Sequence, residues 1–185
     1  MMSRDNSPKS PKMTRQITLD LTHPVKLNGC FDDTMVSFIT FILSCKFQLK
    51  RSLDIAFKST KTCGGSIGEY RSVDAGYRNT EVEVVIVCTK HEHKEVLRTI
   101  AHELRHVEQN HYEWYPTQKQ LCQDYRDSIT THSNSNAAAK RKKDVHVQKE
   151  KDARDYELPT INEFFAAQQQ VNNFSTTIQS LNQGR

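Results

Sequence analysis

The chain has 185 residues, enough for one domain or for one domain with appended segments. Only 36% of the residues are hydrophobic, and Leu, Ile, Val and Phe together number 41, or 22% of the chain. That fraction lies just above the level of roughly 20% below which chains tend to stay disordered, so we expect a core accompanied by polar segments outside it. The net charge of +4 is too small to identify a nucleic-acid-binding protein by charge alone.

The five cysteines are never closer than 15 residues and form no CxxC pair. This spacing favours reduced thiols over a disulfide framework. The N-terminus lacks the apolar run of a secretory signal. The most apolar stretch, residues 34–47, is too short to cross a bilayer. We therefore expect an intracellular, cytoplasmic protein that is not associated with a membrane.

The first half of the chain predicts a basic arm, then a helix, then strands. Residues 1–16 contain SPKSPK and almost nothing that could be buried, which indicates a disordered arm. A helix is predicted from Asp33, with Asp33 or Thr34 as its cap, because apolar residues recur there every three or four positions. Short strands are expected at residues 53–57, 67–72 and 82–88, the last of them well inside a sheet or under a helix.

The second half predicts mainly helices. An amphipathic helix is expected over residues 94–110, and another from Pro116 to about Ile129. Residues 131–146 are polar and rich in small side chains and cations, which indicates an exposed insertion that loops out. Helical character resumes near Val145 and should break at Pro159.

Residues 160–185 predict a C-terminal amphipathic helix. Its apolar residues follow the 3-4 spacing of a heptad seam: Phe164, Ala167, Val171, Phe174, Ile178 and Leu181. This seam could fold back on the domain or support oligomerisation with another chain. The predicted organisation is thus an arm at 1–16, a domain at 17–159 with the insertion at 131–146, and the helix at 160–185.

Residues 102–106 form an HExxH motif inside a predicted helix. Residues four apart on an α-helix lie one above the other, so His102 and His106 can reach the same ion. Glu103 is rotated from His102 by about 100°, which places it where a general base can take a proton from a metal-bound water. Imidazole and carboxylate ligands favour zinc. The alternative is an exposed helix face that carries two His and one Glu by chance.

The segment VLRTIAHELRHVEQ, followed by EKDARDYE at residues 150–157, resembles the gluzincin type of zincin metallopeptidase. It is similar to the small ImmA/IrrE-like and phage-encoded members, in which ExxA on a later helix follows HExxH. The resemblance implies an α+β, zincin-like fold with a small twisted sheet packed on the HExxH helix and further helices. It also implies Glu150 as third ligand, with Ala153 giving room for close helix approach.

The resemblance is incomplete in one place. Many gluzincins carry an Asp four residues after the ligand Glu, to hold a ligand His, and here that position is Arg154. Asp152 or Asp155 is then the expected partner of a ligand His. In a different, SprT-like arrangement, His132 or His146 would be the third ligand. Zincins also use a strand in the region of residues 82–87 to bind extended substrate through its backbone.

A peptidase needs a group that stabilises the developing oxyanion. The sequence offers three tyrosines for this role and does not choose among Tyr112, Tyr115 and Tyr156.

Together these residues predict a metallopeptidase with one Zn²⁺ ion, which hydrolyses a protein or peptide substrate with Glu103 as general base. Zinc binding should weaken as the pH falls through about 6.5, where imidazoles take protons. The alternative functions are a DNA-associated, SprT-like protease and a non-catalytic protein that contacts nucleic acid. Both alternatives rest on residues 1–16 and on four consecutive cations, Lys140, Arg141, Lys142 and Lys143.

Overall fold

A computed structural model describes residues 14–63, 65–71, 82–112 and 135–183, with the side chains of the last range from 146 to 174. Within these ranges the chain forms five strands: β1 (Arg15–Leu19), β2 (Val25–Gly29), β3 (Leu53–Lys58), β4 (Gly68–Arg71) and β5 (Glu83–Cys88). It also forms three helices: α1 (Asp33–Cys45), α2 (His93–His111) and α3 (Ser135–Gln183).

The strands form one mixed sheet in the order β1-β2-β3-β5-β4. The three inner strands β2, β3 and β5 are parallel, and β1 and β4 pair antiparallel at the two edges. The predicted α+β class is therefore confirmed, as are strands near residues 53–57, 67–72 and 82–88. β5 is the strand that was expected to bind substrate through its backbone, but it is an inner strand. The edge strand next to α2 is β4 instead.

The main core lies between one face of the sheet and the three helices. Alternate strand residues point into it, as the two-residue period of a strand requires: Val25, Leu27, Leu53, Ile55, Phe57, Val85 and Val87. Helix α2 buries the apolar stripe predicted for it: Leu97, Ile100, Ala101, Leu104 and Val107. The opposite polar face of α2 is thereby directed towards β4 and α3.

Two predictions near the N-terminus are wrong in detail. β1 includes Arg15 and Gln16, which the sequence assigned to a disordered arm, because the Ile17 and Leu19 side chains beyond them pack against the core. Residues 1–13 lie outside the described residues. The cap of α1 is Asp32, whose carboxylate accepts from the Met35 backbone N–H at 2.9 Å, so the predicted cap is one or two residues too late.

Helix α3 continues through Pro159, so the predicted break there is wrong. Pro159 is on the exposed side, where water can satisfy the carbonyl that a proline leaves without a donor. The turn that follows is fixed by burial of Thr160, Ile161 and Phe164. Residues 135–146 also belong to α3, which corrects the looped-out insertion expected at 131–146; residues 131–134 lie outside the described residues.

A single stripe of α3, repeating every seven residues, faces the domain. Glu150 faces α2, and Glu157 is buried against the same helix. Phe164 packs edge-on against Phe38 of α1, with 5.1 Å between the ring centroids. Of the two arrangements considered for the C-terminal helix, the fold-back on the domain occurs at its first turns. Farther along, Phe174 is 70% exposed.

The cysteine prediction is wrong for one pair. Cys63 and Cys88 form a disulfide, while Cys30 and Cys45 form none with the described residues. The pairing of β4 with β5 brings these two cysteines together, although they are 25 residues apart in sequence. No helix of the described ranges combines the length and the apolarity that crossing a bilayer requires.

Candidate metal centre

Two helices bring three metal-ligating side chains to one point. α2 presents His102 and His106 one turn apart, and α3 presents Glu150 opposite them. The two oxygens of Glu150 each lie 3.3 Å from one imidazole Nε2, and the two Nε2 atoms lie 3.2 Å from each other. All three donor atoms lie within 4.8 Å of one another.

The hydrogen bonds on the far side of each ring define its tautomer. His102 Nδ1 lies 3.0 Å from Glu157 Oε1, and a carboxylate can only accept, so this Nδ1 carries the hydrogen. His106 Nδ1 lies 2.9 Å from Gln109 Oε1 and donates to it. Both Nε2 atoms are therefore lone-pair atoms in the neutral rings, and they face each other and a carboxylate.

This donor set fits a zinc ion. Zinc–ligand bonds of about 2.0–2.1 Å in a tetrahedron place neighbouring ligand atoms about 3.3 Å apart. Here the two Nε2 atoms lie 3.2 Å apart, and each lies 3.3 Å from a different oxygen of Glu150. Three protein ligands of the His₂Glu type are also the set that catalytic zinc sites use, with the fourth position left to solvent or substrate.

Glu157 holds the first ligand in place, and the sequence reasoning missed it. Its Oε1 accepts from His102 and its Oε2 accepts from Arg98 Nε at 2.8 Å. Burial works against the charged forms, but these hydrogen bonds outweigh it, lowering the pKa of Glu157 and raising the pKa of His102. Glu157 follows Glu150 by two helical turns on the same face, which is the signal that could have identified it.

The second ligand is held through Gln109. Gln109 Nε2 donates to Asp152 Oδ2 at 2.8 Å and to the Lys149 carbonyl at 3.2 Å, which fixes its Oε1 toward His106. Asp152 also accepts from Arg105 Nε at 2.6 Å. Asp152 thus acts one step farther from the ligand than predicted, and the other expected partner, Asp155, is exposed. Burial lowers the pKa of His106, which favours the neutral ring that a metal binds.

Glu103 lies buried between α2 and β4. Burial, more than the neighbouring carboxylates, raises its pKa to about 7. Gly68 of β4 covers it closely, because a Cβ built on Gly68 would lie 2.5 Å from Glu103 Oε1 and 2.6 Å from Thr99 Cγ2. Glycine at this position therefore allows the edge strand to approach the face of α2 that carries His102 and Glu103.

The three ligands open onto a cleft with two halves, which share Ser66, Gly68, His102, Glu103 and Glu150. The Tyr70 half has a volume of about 480 Å³ and is also lined by Glu69, Tyr70, His106, Gln109, Asn110, His146 and Lys149. The Arg154 half has a volume of about 330 Å³ and is also lined by Ile67, Glu95, Arg98, Thr99, Arg154 and Glu157. The residues from Ser66 to Tyr70, which include the start of edge strand β4, pass from one half to the other.

The tyrosines proposed for transition-state stabilisation do not line this cleft where they are described. Tyr112 donates through its hydroxyl to the Gln48 carbonyl at 2.8 Å, in the loop after α1. Tyr156 packs beneath the Arg105 guanidinium, and burial raises the pKa of its hydroxyl to about 12. Tyr115 lies outside the described residues.

Tyr70 is a tyrosine of the cleft that the sequence did not single out. Its hydroxyl donates to Glu83 Oε1 at 3.0 Å, and Asn110 Nδ2 donates to the same oxygen at 3.2 Å. Glu83 is fully buried and its second oxygen lies 2.5 Å from His111 Nε2. This cluster fixes Tyr70 and Asn110, and it occupies His111 away from the three ligands.

The two histidines considered as alternative third ligands differ in where they lie. His146 lines the cleft, but its Nδ1 is 3.9 Å from Glu150 Oε1 and its side chain is exposed. Among the described residues, His102, His106 and Glu150 are the only group of three such side chains close enough together to hold a metal ion. His132 lies outside the described residues.

No family model, curated protein or solved structure matches this chain.

Proposed function

We propose that this chain is a zinc-dependent metallopeptidase of zincin-like fold, with zinc held by His102, His106 and Glu150. One observation carries the proposal. The two imidazole Nε2 atoms lie 3.2 Å apart, and each lies 3.3 Å from a different oxygen of Glu150. Such a group of acceptors is unfavourable without a cation among them, and two imidazoles with one carboxylate are ligands that suit zinc.

The chemistry follows from the positions of the residues. When bound, zinc lowers the pKa of a coordinated water to about 7 and polarises a carbonyl oxygen. Glu103 takes the proton of the attacking water on its carboxylate and delivers it to the leaving amine. Enclosure by β4 keeps this carboxylate at the site, where it can hold and release the proton.

The remaining residues of the site orient these groups. Glu157 and Gln109 hold the two rings through Nδ1, which keeps both Nε2 lone pairs directed at the metal. β4 places its backbone along the cleft, where an extended peptide could add as a strand. Tyr70 and Asn110, which Glu83 holds in place, line the Tyr70 half of the cleft, where they could contact such a peptide.

The experiment compares metal content with hydrolysis. Wild type and Glu103→Gln should each bind one zinc per chain by elemental analysis, while only wild type cleaves a mixed set of internally quenched peptides. Glu92→Gln, an exposed change at the start of α2, is the matched control and should keep both properties. A wild-type chain that takes up no zinc would refute the metal site, and full activity of Glu103→Gln would remove Glu103 from the mechanism.

The nucleic-acid alternatives stay predictions. The arm at 1–13 and the side chains of Lys140, Arg141, Lys142 and Lys143 lie outside the described residues. Oligomerisation through residues 160–185 likewise remains a prediction.

A further inference from the structure

The Arg154 half of the cleft contains an ion-pair network that is already complete. Arg98 donates to Glu157 at 2.8 Å and to Glu95 at 3.1 Å. Glu157 uses its other oxygen for His102. Both carboxylates are therefore occupied by Arg98 and by the ligand ring.

Arg154 lies in the same half and does not take part in that network. It is exposed and lines the cleft, and it makes no ion pair with any residue that the structure describes. It follows Glu150 by four residues, which places it one turn along the same face of α3. The guanidinium is thus a cation beside a metal ligand, with its donors available to a bound molecule.

We propose that Arg154 forms a carboxylate-binding subsite, so that the enzyme prefers peptides with a carboxylate on the residue held in the Arg154 half. This inference rests on the proposed peptidase function. A guanidinium presents paired N–H donors that match the two oxygens of a carboxylate, and such charge-assisted pairs are stronger than neutral hydrogen bonds. The neighbouring Ile67 side chain, which is 38% exposed, can contact the methylene groups of the same residue.

Two kinds of peptide carry such a carboxylate: one with an internal Asp or Glu, and one whose free C-terminus lies next to the scissile bond. The test uses internally quenched peptides that are identical except for Glu, Gln or Lys at each position flanking the cleavage site. A second pair of peptides differs only in a free or an amidated C-terminus. A charge-assisted hydrogen bond corresponds to about a tenfold or greater preference in kcat/KM.

With wild type we expect Glu peptides to exceed Gln peptides about tenfold in kcat/KM at one position. Arg154→Glu should reverse the order, so that the Lys peptide becomes the best substrate. Lys151→Gln removes an exposed cation from the same helix outside the cleft, and it should keep the wild-type ratio. If the free-acid peptide alone shows the preference, the carboxylate is the C-terminal one.

Binding gives a readout that does not depend on turnover. Zinc-loaded Glu103→Gln should bind a fluorescein-labelled Glu peptide about tenfold more tightly than its Gln counterpart, and adding Arg154→Glu should abolish the difference. Equal cleavage and equal binding of the carboxylate and neutral peptides would overturn the subsite while leaving the peptidase function intact. If zinc-loaded wild type cleaves no peptide of the set, the peptidase function itself fails.

Discussion

Replacing Glu157 with Gln tests whether the contact behind the first ligand controls metal binding. Glu157 Oε1 accepts from His102 at 3.0 Å, and Oε2 accepts from Arg98 at 2.8 Å. Gln has nearly the same shape but only one acceptor oxygen, so its NH₂ group must face one of these two donors. Because Arg98 keeps Glu95 at 3.1 Å and is 39% exposed, it can turn toward water. The amide oxygen can therefore stay with the more enclosed His102, which keeps an acceptor but loses the negative charge behind it.

The expected size of the effect follows from metal sites of this kind. Loss of a partner that orients a ligand costs about 10–100-fold in metal affinity, or about 1.4–2.8 kcal/mol. The assay is competition for zinc against a chromophoric chelator at pH 7.5. Glu163→Gln is the control. It removes an exposed carboxylate elsewhere on α3, one that pairs with Lys46 beyond α1, and it should bind zinc like wild type. An unchanged affinity in Glu157→Gln would refute the orienting role of Glu157.

Two further predictions follow. Gly68→Ala would place a Cβ 2.5 Å from Glu103 Oε1, so we expect one zinc per chain to be retained while kcat falls about 100-fold from displacement of the base; wild-type turnover would contradict this. In the metal-free protein the pKa of Glu157 is lowered, so the stability that this carboxylate contributes is lost as the pH falls through its pKa in the folded state. The pKa of His102 is raised, so the stability that this ring contributes is lost as the pH rises through its own folded-state pKa. Urea unfolding in the presence of chelator should therefore show the largest difference in unfolding free energy between wild type and Glu157→Gln at about pH 4.5 to 6.5. Added zinc should stabilise the wild type increasingly above that range. The same pH dependence in both proteins would contradict this prediction.

The centre of the fold was predictable because its signals are local. The HExxH spacing, the apolar stripe of α2 and the alternation in β5 each determine an element within one short window of sequence, and all three occur in the structure. Glu150 was predicted through a resemblance, and the structure brings it to the two His rings. The edge strand β1 was missed because its burial alternates only weakly and depends on pairing with β2.

The predicted break in α3 was wrong for a tertiary reason. Pro159 argues against a helix when it is considered alone, but burial of the turn after the proline overrides this local preference. The heptad pattern predicted from Phe164 onward contained the missing information. Extending it backward by seven residues gives Glu157, and a second step gives Glu150, so the C-terminal apolar seam and the polar face of the site are one surface. Charge at those two positions concealed this periodicity.

The helical phase of α3 connects the candidate metal site to the folded core. Three residues that are seven apart lie on nearly the same face of this helix. They are Glu150 at the candidate metal site, Glu157, which holds His102, and Phe164, which packs in the core. Inserting one residue between Glu157 and Phe164 would turn everything beyond it by about 100°, so that either the aromatic anchor or the ligand pair would swing away from the domain. The length of this segment is therefore constrained as strongly as the identity of its residues, and changes in length are tolerable only beyond the last buried turn.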